Sequence, residues 1–268
     1  MFRFAQRDAI QYLEAQSLSR LEFVTHAFCT RLGGISAGPF SSLNTGFLVG
    51  DREEDVRRNL ALIEKAFTIP AGRLVLMGQV HGDRIFILDG DGSPPGSIPE
   101  FDGLITERPG VAVGIRTADC VPLLFVDPVR RVIGVAHAGW RGTALRIASK
   151  MVDLFERRFS SRLEDIVIAI GPAIGVCCYQ VDAPVYAAFA SRPGVDHFLH
   201  SCPEEGKWML DLASANRFEL MERGIPAGNI LSAGHCTACR RELFFSHRAS
   251  LGCTGRQVNF IMVRKEGR

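Results

Sequence analysis

The chain has 268 residues, of which 47% are hydrophobic and 22% charged, so it can bury a large core and is not intrinsically disordered. Its 31 Lys and Arg against 29 Asp and Glu leave a net charge of +2, which provides no global basic field for holding a nucleic acid. We therefore expect one domain over residues 1–268 that binds neither nucleic acid nor a membrane.

The N-terminus and the cysteines both predict a cytoplasmic protein. Charged residues occur within the first eight positions, where a secretory signal would need an apolar segment. The apolar charge-free run at residues 166–181 is interrupted by glycines and is shorter than the ~20 residues that a membrane span requires. Eight cysteines without a secretory signal indicate reduced thiols rather than a disulfide framework.

Hydrophobic periodicity predicts a chain that mixes helices and strands. A β-rich segment at 23–30 precedes a Gly- and Ser-rich loop from Arg31 to Gly46, and an amphipathic helix is expected at 52–67. Short apolar runs then predict a strand-rich centre, with strands at 73–77, 85–88, 103–106, 111–116, 121–126 and 132–136. The later elements are a helix at 143–159, a strand at 166–170, a Gly/Cys loop at 171–180, helices near 182–190 and 211–223, and closing strands near 242–246 and 258–263.

Two of the central strands, 121–126 and 132–136, predict a β-hairpin. A four-residue loop at 127–130 would place Cys120 directly opposite His137, with Cβ atoms ~5 Å apart. A thiolate and an imidazole at that distance can bind a metal such as zinc, or work as nucleophile and base. A slip of one residue in the register would instead separate the two side chains to opposite faces.

A catalytic zinc site needs a third protein ligand and an open fourth position, and His81 in the polar turn 79–83 offers that ligand. His81, Cys120 and His137 are therefore the predicted metal ligands and catalytic residues. Two alternatives remain open from spacing alone. One is a metal-free dyad of Cys120 and His137, and the other is a buried thiol beside core histidines.

The loop from Arg31 to Gly46 has the backbone freedom to wrap a polar ligand, although a plain surface connector fits the same residues. Arg31 is suited to a phosphate or carboxylate, and Asn44 to a ribose hydroxyl. Arg141 follows Trp140 and would present a second guanidinium near His137.

The other cysteines predict no second metal site. Cys236 and Cys239 have C-x-x-C spacing but no second pair at zinc-finger distance, so we interpret them as structural. Cys177 and Cys178 are adjacent, and we expect them to be buried.

Seven motifs in order, spanning about residues 25 to 263, resemble those of the laccase-domain family. They are Thr30-Arg31-Leu32-Gly33-Gly34, Ser42-Leu43-Asn44-Thr45-Gly46, Gln79-Val80-His81, Asp102-Gly103-Leu104-Ile105-Thr106, Thr117-Ala118-Asp119-Cys120, His137-Ala138-Gly139-Trp140-Arg141-Gly142 and Phe245-Ser246-His247-Arg248. The family has been called multicopper polyphenol oxidase and later described as purine nucleoside phosphorylase with adenosine deaminase activity. It more often has an aromatic residue at the position of His247.

The resemblance implies an α+β fold, a layered α/β/β/α sandwich with mixed sheets that is shared with a bacterial toxin deamidase domain. It also implies that His81, Cys120 and His137 bind zinc. The expected activity is phosphorolysis of adenosine, inosine and methylthioadenosine to the free base and a ribose 1-phosphate, with adenosine deamination beside it. Arg31, Asn44, Gln79 and Arg141 are expected to bind the nucleoside and phosphate, while partner proteins stay unknown.

Three rival functions stay open at this point. A metal-free cysteine hydrolase or deamidase would use Cys120 and His137 and would have no need of His81. A catalytically silent zinc-binding protein would use the same three ligands. A copper-dependent polyphenol oxidase fits badly, because its copper centres need many histidines, usually in H-x-H pairs, and this chain has seven histidines and no such pair.

Overall fold

The computed structural model describes residues 1–90 and 97–265. Its strands are β1 (Phe2–Arg7), β2 (Ile10–Ala15), β3 (Val24–Cys29), β4 (Leu74–Gly78), β5 (Ile85–Leu88), β6 (Ser97–Pro99), β7 (Gly103–Thr106), β8 (Ala112–Thr117), β9 (Val121–Asp127), β10 (Val132–Ala138), β11 (Val167–Ile170), β12 (Gln180–Val181), β13 (Leu199–Ser201), β14 (Trp208–Leu210), β15 (Ile230–Ser232) and β16 (Gln257–Val263). Its α-helices are α1 (Gln16–Ser19), α2 (Glu53–Ala66), α3 (Trp140–Ala144), α4 (Ile147–Phe159), α5 (Ala183–Phe189) and α6 (Leu212–Glu222).

The strands form two large mixed sheets and one small sheet. The first large sheet has the order β1-β2-β3-β16-β8-β4-β6, and the second has the order β15-β11-β9-β10-β7-β5. Strand β4 runs parallel to β8 and β6, β11 parallel to β15, and β5 parallel to β7, whereas the other pairs are antiparallel. The small sheet, β12-β14-β13, is antiparallel.

The period-two alternation of β9 shows how the layers are built. Leu124 and Val126 belong to the core between the two large sheets, whereas Leu123 and Phe125 point to the opposite face. There they join the core formed with α4, α5 and α6, while α2 covers the outer face of the first sheet with Ile63. The order of layers is therefore helix, sheet, sheet, helix, which confirms the predicted α+β sandwich.

Most predicted elements are present, but two predictions need correction and one element was missed. The helix predicted at 143–159 is two helices, α3 and α4, because Arg146 adopts a left-handed conformation between them. The strand predicted near 242–246 is wrong, since the amides of Leu243 and Phe244 both donate to the carbonyl of Arg240 and close turns. The N-terminal hairpin of β1 and β2, which turns at Asp8, was not predicted.

The central hairpin forms with a register two residues away from the predicted one. Val132 pairs with Asp127, and His137 pairs with Pro122 rather than with Cys120. Because side chains alternate with a period of two, this shift leaves Cys120 and His137 on the same face. The predicted proximity of the two side chains therefore survives the error in the register.

No helix in residues 1–90 and 97–265 is long and apolar enough to cross a bilayer.

A buried histidine lies in the first sheet, far from any predicted site residue. His26 on β3 is 5% exposed, and its Nε2 accepts a hydrogen bond of 2.9 Å from the amide of Ala15. That bond requires Nε2 to be unprotonated. Burial, with a smaller effect of the Arg7 charge, lowers the pKa of His26 to about 3.

We expect His26 to destabilise the fold in acid. The unfolded chain takes up the proton near pH 6.5, so stability is complete above that value and is lost as the pH falls towards the folded pKa. Between pH 7 and pH 5 the loss amounts to about 2 kcal/mol. Urea unfolding at both pH values should show a smaller loss for His26→Gln, while His200→Gln, at an exposed position, should keep the wild-type dependence. Equal losses in all three proteins would contradict the prediction.

Candidate active site

One buried carboxylate organises the residues that the sequence singled out. Asp102 is fully buried before β7, and its oxygens accept hydrogen bonds from the amides of Val80, His81 and Gly82 at 3.2, 3.0 and 2.7 Å. His81 has a φ of 60°, so the turn after β4 is a tight left-handed one that these three bonds hold. Asp102 thereby fixes the position from which the His81 side chain projects.

The same carboxylate orients the second histidine. Nδ1 of His137, at the end of β10, lies 2.8 Å from an Asp102 oxygen, and the His137 amide donates to the Asp102 carbonyl at 2.8 Å. The Nε2 atom of His137 is left to face the other ligands. The His81 and His137 rings are 4.8 Å apart between centroids and meet edge to face.

Cys120 completes the group between β8 and β9. One ligand atom from each of His81, Cys120 and His137 lies within 4.8 Å of the other two. Gly139 permits this approach, because a Cβ atom built on it would lie 3.0 Å from the Cys120 Sγ and 3.2 Å from the His81 Cδ2. The three residues predicted from spacing are thus brought together by the fold.

The charges of this group stabilise one another. Burial would raise the pKa of the Cys120 thiol, but the charge of His137 and hydrogen bonds from both histidines outweigh burial and lower that pKa. Burial would lower the pKa of His137, whereas Cys120 and Asp102 raise it. Burial would likewise raise the pKa of Asp102, and its hydrogen bonds with His137 and the turn amides lower it. The site therefore favours a thiolate at Cys120.

The donor set fits a divalent metal with an open coordination position. Two imidazoles and one thiolate are ligands that zinc accepts, and three protein ligands are the number found in catalytic zinc sites. The bond from His137 Nδ1 to Asp102 is the carboxylate–histidine arrangement that commonly orients a metal-bound imidazole.

A cleft of about 780 Å³ opens in front of these ligands. Besides the three ligands, its walls carry the arginines Arg116, Arg141, Arg248 and Arg256 and the aromatic residues Phe47, Trp140 and Tyr179. Gln79, Asp119, Ile174 and His247 also line it. The cleft has the size of a small-molecule site.

The four arginines share one property. None has a carboxylate partner within 4.0 Å in the part of the chain that the structure describes. Three of them donate to backbone carbonyls instead: Arg116 to Met77 at 2.9 Å, Arg248 to Gln180 at 2.8 Å and Arg256 to Gly255 at 2.9 Å. Arg141 lies 4.3 Å from the centre of the Trp140 ring.

None of the four arginines forms an ion pair with a carboxylate among the described residues, although the charges of Cys120 and Asp119 act on Arg256 and favour its protonated form. Burial lowers the pKa of Arg116 and, for the same reason, that of Arg256, and the Arg256 charge adds to the effect at Arg116. Guanidinium groups nevertheless stay protonated at neutral pH. Unpaired guanidinium groups around a concave surface provide a binding site for an anion.

The structure does not place Arg31 or Asn44 in this cleft. The Arg31 guanidinium lies 4.6 Å from the centre of the Phe245 ring and donates to the carbonyls of Ser41 at 2.6 Å and Arg241 at 3.0 Å. Asn44 is fully buried, and its Oδ1 accepts from the amides of Gly46 and Arg256. Both side chains hold the loop that leads to Phe47 at the cleft wall.

Gln79 and Arg141 do line the cleft, but of the two only the Gln79 side chain is held by hydrogen bonds to the described part of the protein. The Gln79 amide pairs with the backbone of Arg116, donating to its carbonyl and accepting from its amide at 2.8 Å each. The Arg141 guanidinium makes no hydrogen bond to the protein among the described residues. Asp119, the carboxylate nearest to Cys120 in sequence, accepts from Thr237 Oγ1 at 2.6 Å and from the Arg248 amide at 2.7 Å, so it serves as a loop anchor.

Sequence reasoning did not assign roles to Asp102, Arg116, Arg248 and Arg256. Two signals were available. Arg116 is a charged residue in the otherwise apolar strand β8, and Asp102 directly precedes the apolar strand β7. Arg248 and Arg256 lie in irregular segments, where nothing local distinguishes them from surface residues.

Comparison with known proteins agrees with this fold. The model of the family described as multi-copper polyphenol oxidoreductase laccase matches residues 25–264. Purine nucleoside phosphorylase YlmD of Geobacillus stearothermophilus is 42% identical over 253 residues, which are 88% of this chain and 89% of that protein. Adenosine deaminase RL5, from an unknown prokaryotic organism, is 32% identical over 247 residues, or 86% and 93% of the two chains.

A solved structure shows the same fold over nearly the whole chain. The hypothetical protein YfiH of Bacillus licheniformis superposes with a TM-score of 0.90 at 39% identity, covering 97% of this chain and 99% of that one. The resemblance found in the sequence is thus confirmed: the chain belongs to the multi-copper polyphenol oxidoreductase laccase family.

Proposed function

We propose that this protein is a zinc-dependent enzyme of purine nucleoside metabolism. It cleaves adenosine, inosine and methylthioadenosine with phosphate, releasing the free base and ribose 1-phosphate or its methylthio form, and it also deaminates adenosine to inosine. The names of its relatives support both activities. We place it in the cytoplasm as a single-domain protein, in keeping with its eight free thiols.

One observation carries the proposal: a His/Cys/His ligand group and four arginines without carboxylate partners face the same cleft. Phosphorolysis needs a nucleoside and a phosphate in contact, and the arginines provide the charge that holds the phosphate. A cleft for a neutral substrate alone would have no need of four guanidinium groups without carboxylate partners. The arrangement therefore supports phosphate as the second substrate.

His81, Cys120 and His137 are the residues that would hold the zinc. Zinc, when bound, supplies Lewis acidity, which stabilises developing negative charge and lowers the pKa of water. The ligand set also favours zinc over copper. A multicopper oxidase needs several histidine-rich centres, and the described residues form one mixed His/Cys group and one group of cysteines alone.

The chain's own groups position the reactants. The arginines hold the phosphate so that its oxygen forms a bond to C1′ of the ribose while the C1′–N9 bond breaks and its electron pair leaves with the purine. Phe47, Trp140 and Tyr179 offer flat surfaces for the base. In deamination, the oxygen of water replaces the amino group at C6, and the base occupies the same walls.

The Cys120–His137 pair favours a second candidate function, a cysteine hydrolase. A thiolate stabilised by an imidazolium is a competent nucleophile without a metal. The position of His81 favours the metal enzyme, because a dyad has no need of a third ligand, whereas Asp102 would orient His137 in either enzyme. Both functions are tested by the same assay.

The decisive assay follows the products of inosine with phosphate, and of adenosine with and without phosphate. We expect hypoxanthine and ribose 1-phosphate from inosine, and adenine together with inosine from adenosine, by chromatography. A chelated protein should lose these activities and regain them with zinc. Turnover that persists after chelation and disappears in Cys120→Ser would favour the hydrolase, and no turnover with zinc present would contradict the proposal.

The glycine beside the ligands provides a test of the metal site. Gly139→Ala places a methyl group against the Cys120 Sγ and the His81 ring, so these ligands must shift. We expect zinc affinity to fall by about 10- to 100-fold, the range found when groups that position metal ligands are altered. Competition with a chromogenic chelator measures it. Gly228→Ala is the matched control, because nothing lies within 4 Å of its added Cβ, and an equal affinity in both variants would contradict the assignment.

Removal of a cleft arginine tests the phosphate site. Arg141→Gln deletes a guanidinium that makes no hydrogen bond to the protein, so we expect folding and zinc content to be unchanged. The KM for phosphate should rise by about ten- to a hundredfold, which corresponds to a lost charge-assisted contact of about 1.5–3 kcal/mol. Arg248→Gln should act in the same direction, and Arg58→Gln, on the exposed face of α2, is the control. An unchanged KM in both cleft variants would place the phosphate elsewhere.

A further inference from the structure

Four cysteines from two separate segments come together outside the cleft. Cys177, Cys178, Cys236 and Cys239 place their sulfur atoms within 4.8 Å of one another. The Cys239 Sγ is 3.5 Å from that of Cys177 and 3.4 Å from that of Cys178. The C-x-x-C pair that lacked a partner in the sequence thus finds one in the adjacent cysteines of the loop at 171–180.

The separations match those of four thiolates around one metal ion. Zinc–sulfur bonds of about 2.3 Å in a tetrahedron place the sulfur atoms about 3.8 Å apart, so a small expansion of this group would accommodate zinc. Cys239 is almost equally distant from Cys177 and Cys178, which gives no preference for a disulfide with either. All four are free cysteines, and Cys177 and Cys239 are exposed, which corrects the expectation that Cys177 is buried.

The backbone beside the four cysteines has the arrangement that is found around thiolate ligands. The amide of Gly175 donates to the Cys236 Sγ at 3.2 Å, a bond that stabilises a thiolate. Residues 236–239 form a turn that directs both C-x-x-C sulfur atoms to the same side. An isolated parallel bridge joins Ala173 to Cys236, and the Thr237 amide donates to the Ala173 carbonyl at 3.0 Å. The two segments are therefore held in register beside the four sulfur atoms.

We propose that Cys177, Cys178, Cys236 and Cys239 bind a second zinc ion, which is structural. Four protein ligands leave no open position, in contrast to the three-ligand site in the cleft. Four sulfur donors in a tetrahedral arrangement select zinc over hard cations such as magnesium or calcium. Because the ligands are drawn from segments about 60 residues apart, the ion would close a long loop whose ends the pairing of β11 with β15 and the Ala173–Cys236 bridge already hold together.

The ion would stabilise one wall of the cleft. Tyr179, which lines the cleft, directly follows Cys178, and Thr237, which bonds to Asp119, lies between Cys236 and Cys239. Loss of the ion would therefore loosen the cleft wall without removing any ligand of the catalytic metal. This role is independent of which reaction the cleft performs.

The experiment measures bound zinc by mass spectrometry of the purified full-length protein. We expect two zinc ions per chain in the wild type and one in Cys178→Ser/Cys236→Ser. His81→Ala/His137→Ala should also retain one, now in the cysteine site. Cys253→Ser, at an exposed cysteine outside both groups, is the matched control and should retain two.

Cobalt substitution gives a readout that does not depend on how the cysteine variant folds. Cobalt(II) added to metal-free His81→Ala/His137→Ala should produce the intense visible bands of a tetrahedral tetrathiolate site, and a stoichiometric amount of zinc should abolish them. Absence of these bands and of zinc from that variant would overturn the proposal. A disulfide between any two of the four cysteines in freshly purified protein, found by peptide mass mapping, would overturn it as well.

Discussion

The buried Asp102 carboxylate is the interaction on which the catalytic geometry depends. It accepts three backbone amides from the turn that carries His81 and binds Nδ1 of His137, so one group fixes two ligands at once. A fully buried carboxylate is stable only when such partners replace its hydration. The site and the local fold are therefore mutually dependent. A residue at position 102 without a side-chain acceptor, such as alanine, would leave the turn amides unsatisfied and the His137 imidazole without its partner.

The period of a β-strand explains why the proximity of Cys120 and His137 could be predicted from the sequence. The predicted hairpin register was wrong by two residues, yet Cys120 and His137 still face the same side, because an even shift preserves the face. The layered sandwich was expected from the family resemblance, and in the structure the alternation along β9 assigns each side chain to one of two cores. The single-domain boundary at 1–268 stays a prediction.

The binding residues were less predictable, because their roles depend on contacts between distant segments. Arg31 has the chemistry of an anion ligand, but it bonds to the carbonyls of Ser41 and Arg241, and only the folded loop shows this. The buried Asn44 side chain likewise bonds to the backbone of a turn. Arg116 and Arg256 reach the same cleft from positions 140 residues apart. The cysteine pairs illustrate the same limit. Neither the C-x-x-C pair nor the adjacent pair indicates a metal site until the fold brings the two pairs together.

The irregular chain around Cys120 lies outside the sheets, so contacts with other segments must hold it in place. Asp119 has a φ of 104°, a strained conformation that must be stabilised by its neighbours. Its carbonyl accepts from the Ile174 amide at 2.8 Å, and its carboxylate accepts from Thr237 and from the Arg248 amide. Both partner segments, around residues 174 and 237, are those that the four cysteines join. A cross-link at the cysteines would thus act on Cys120 through Asp119, so the position of a predicted metal ligand would depend on a cluster that does not line the cleft.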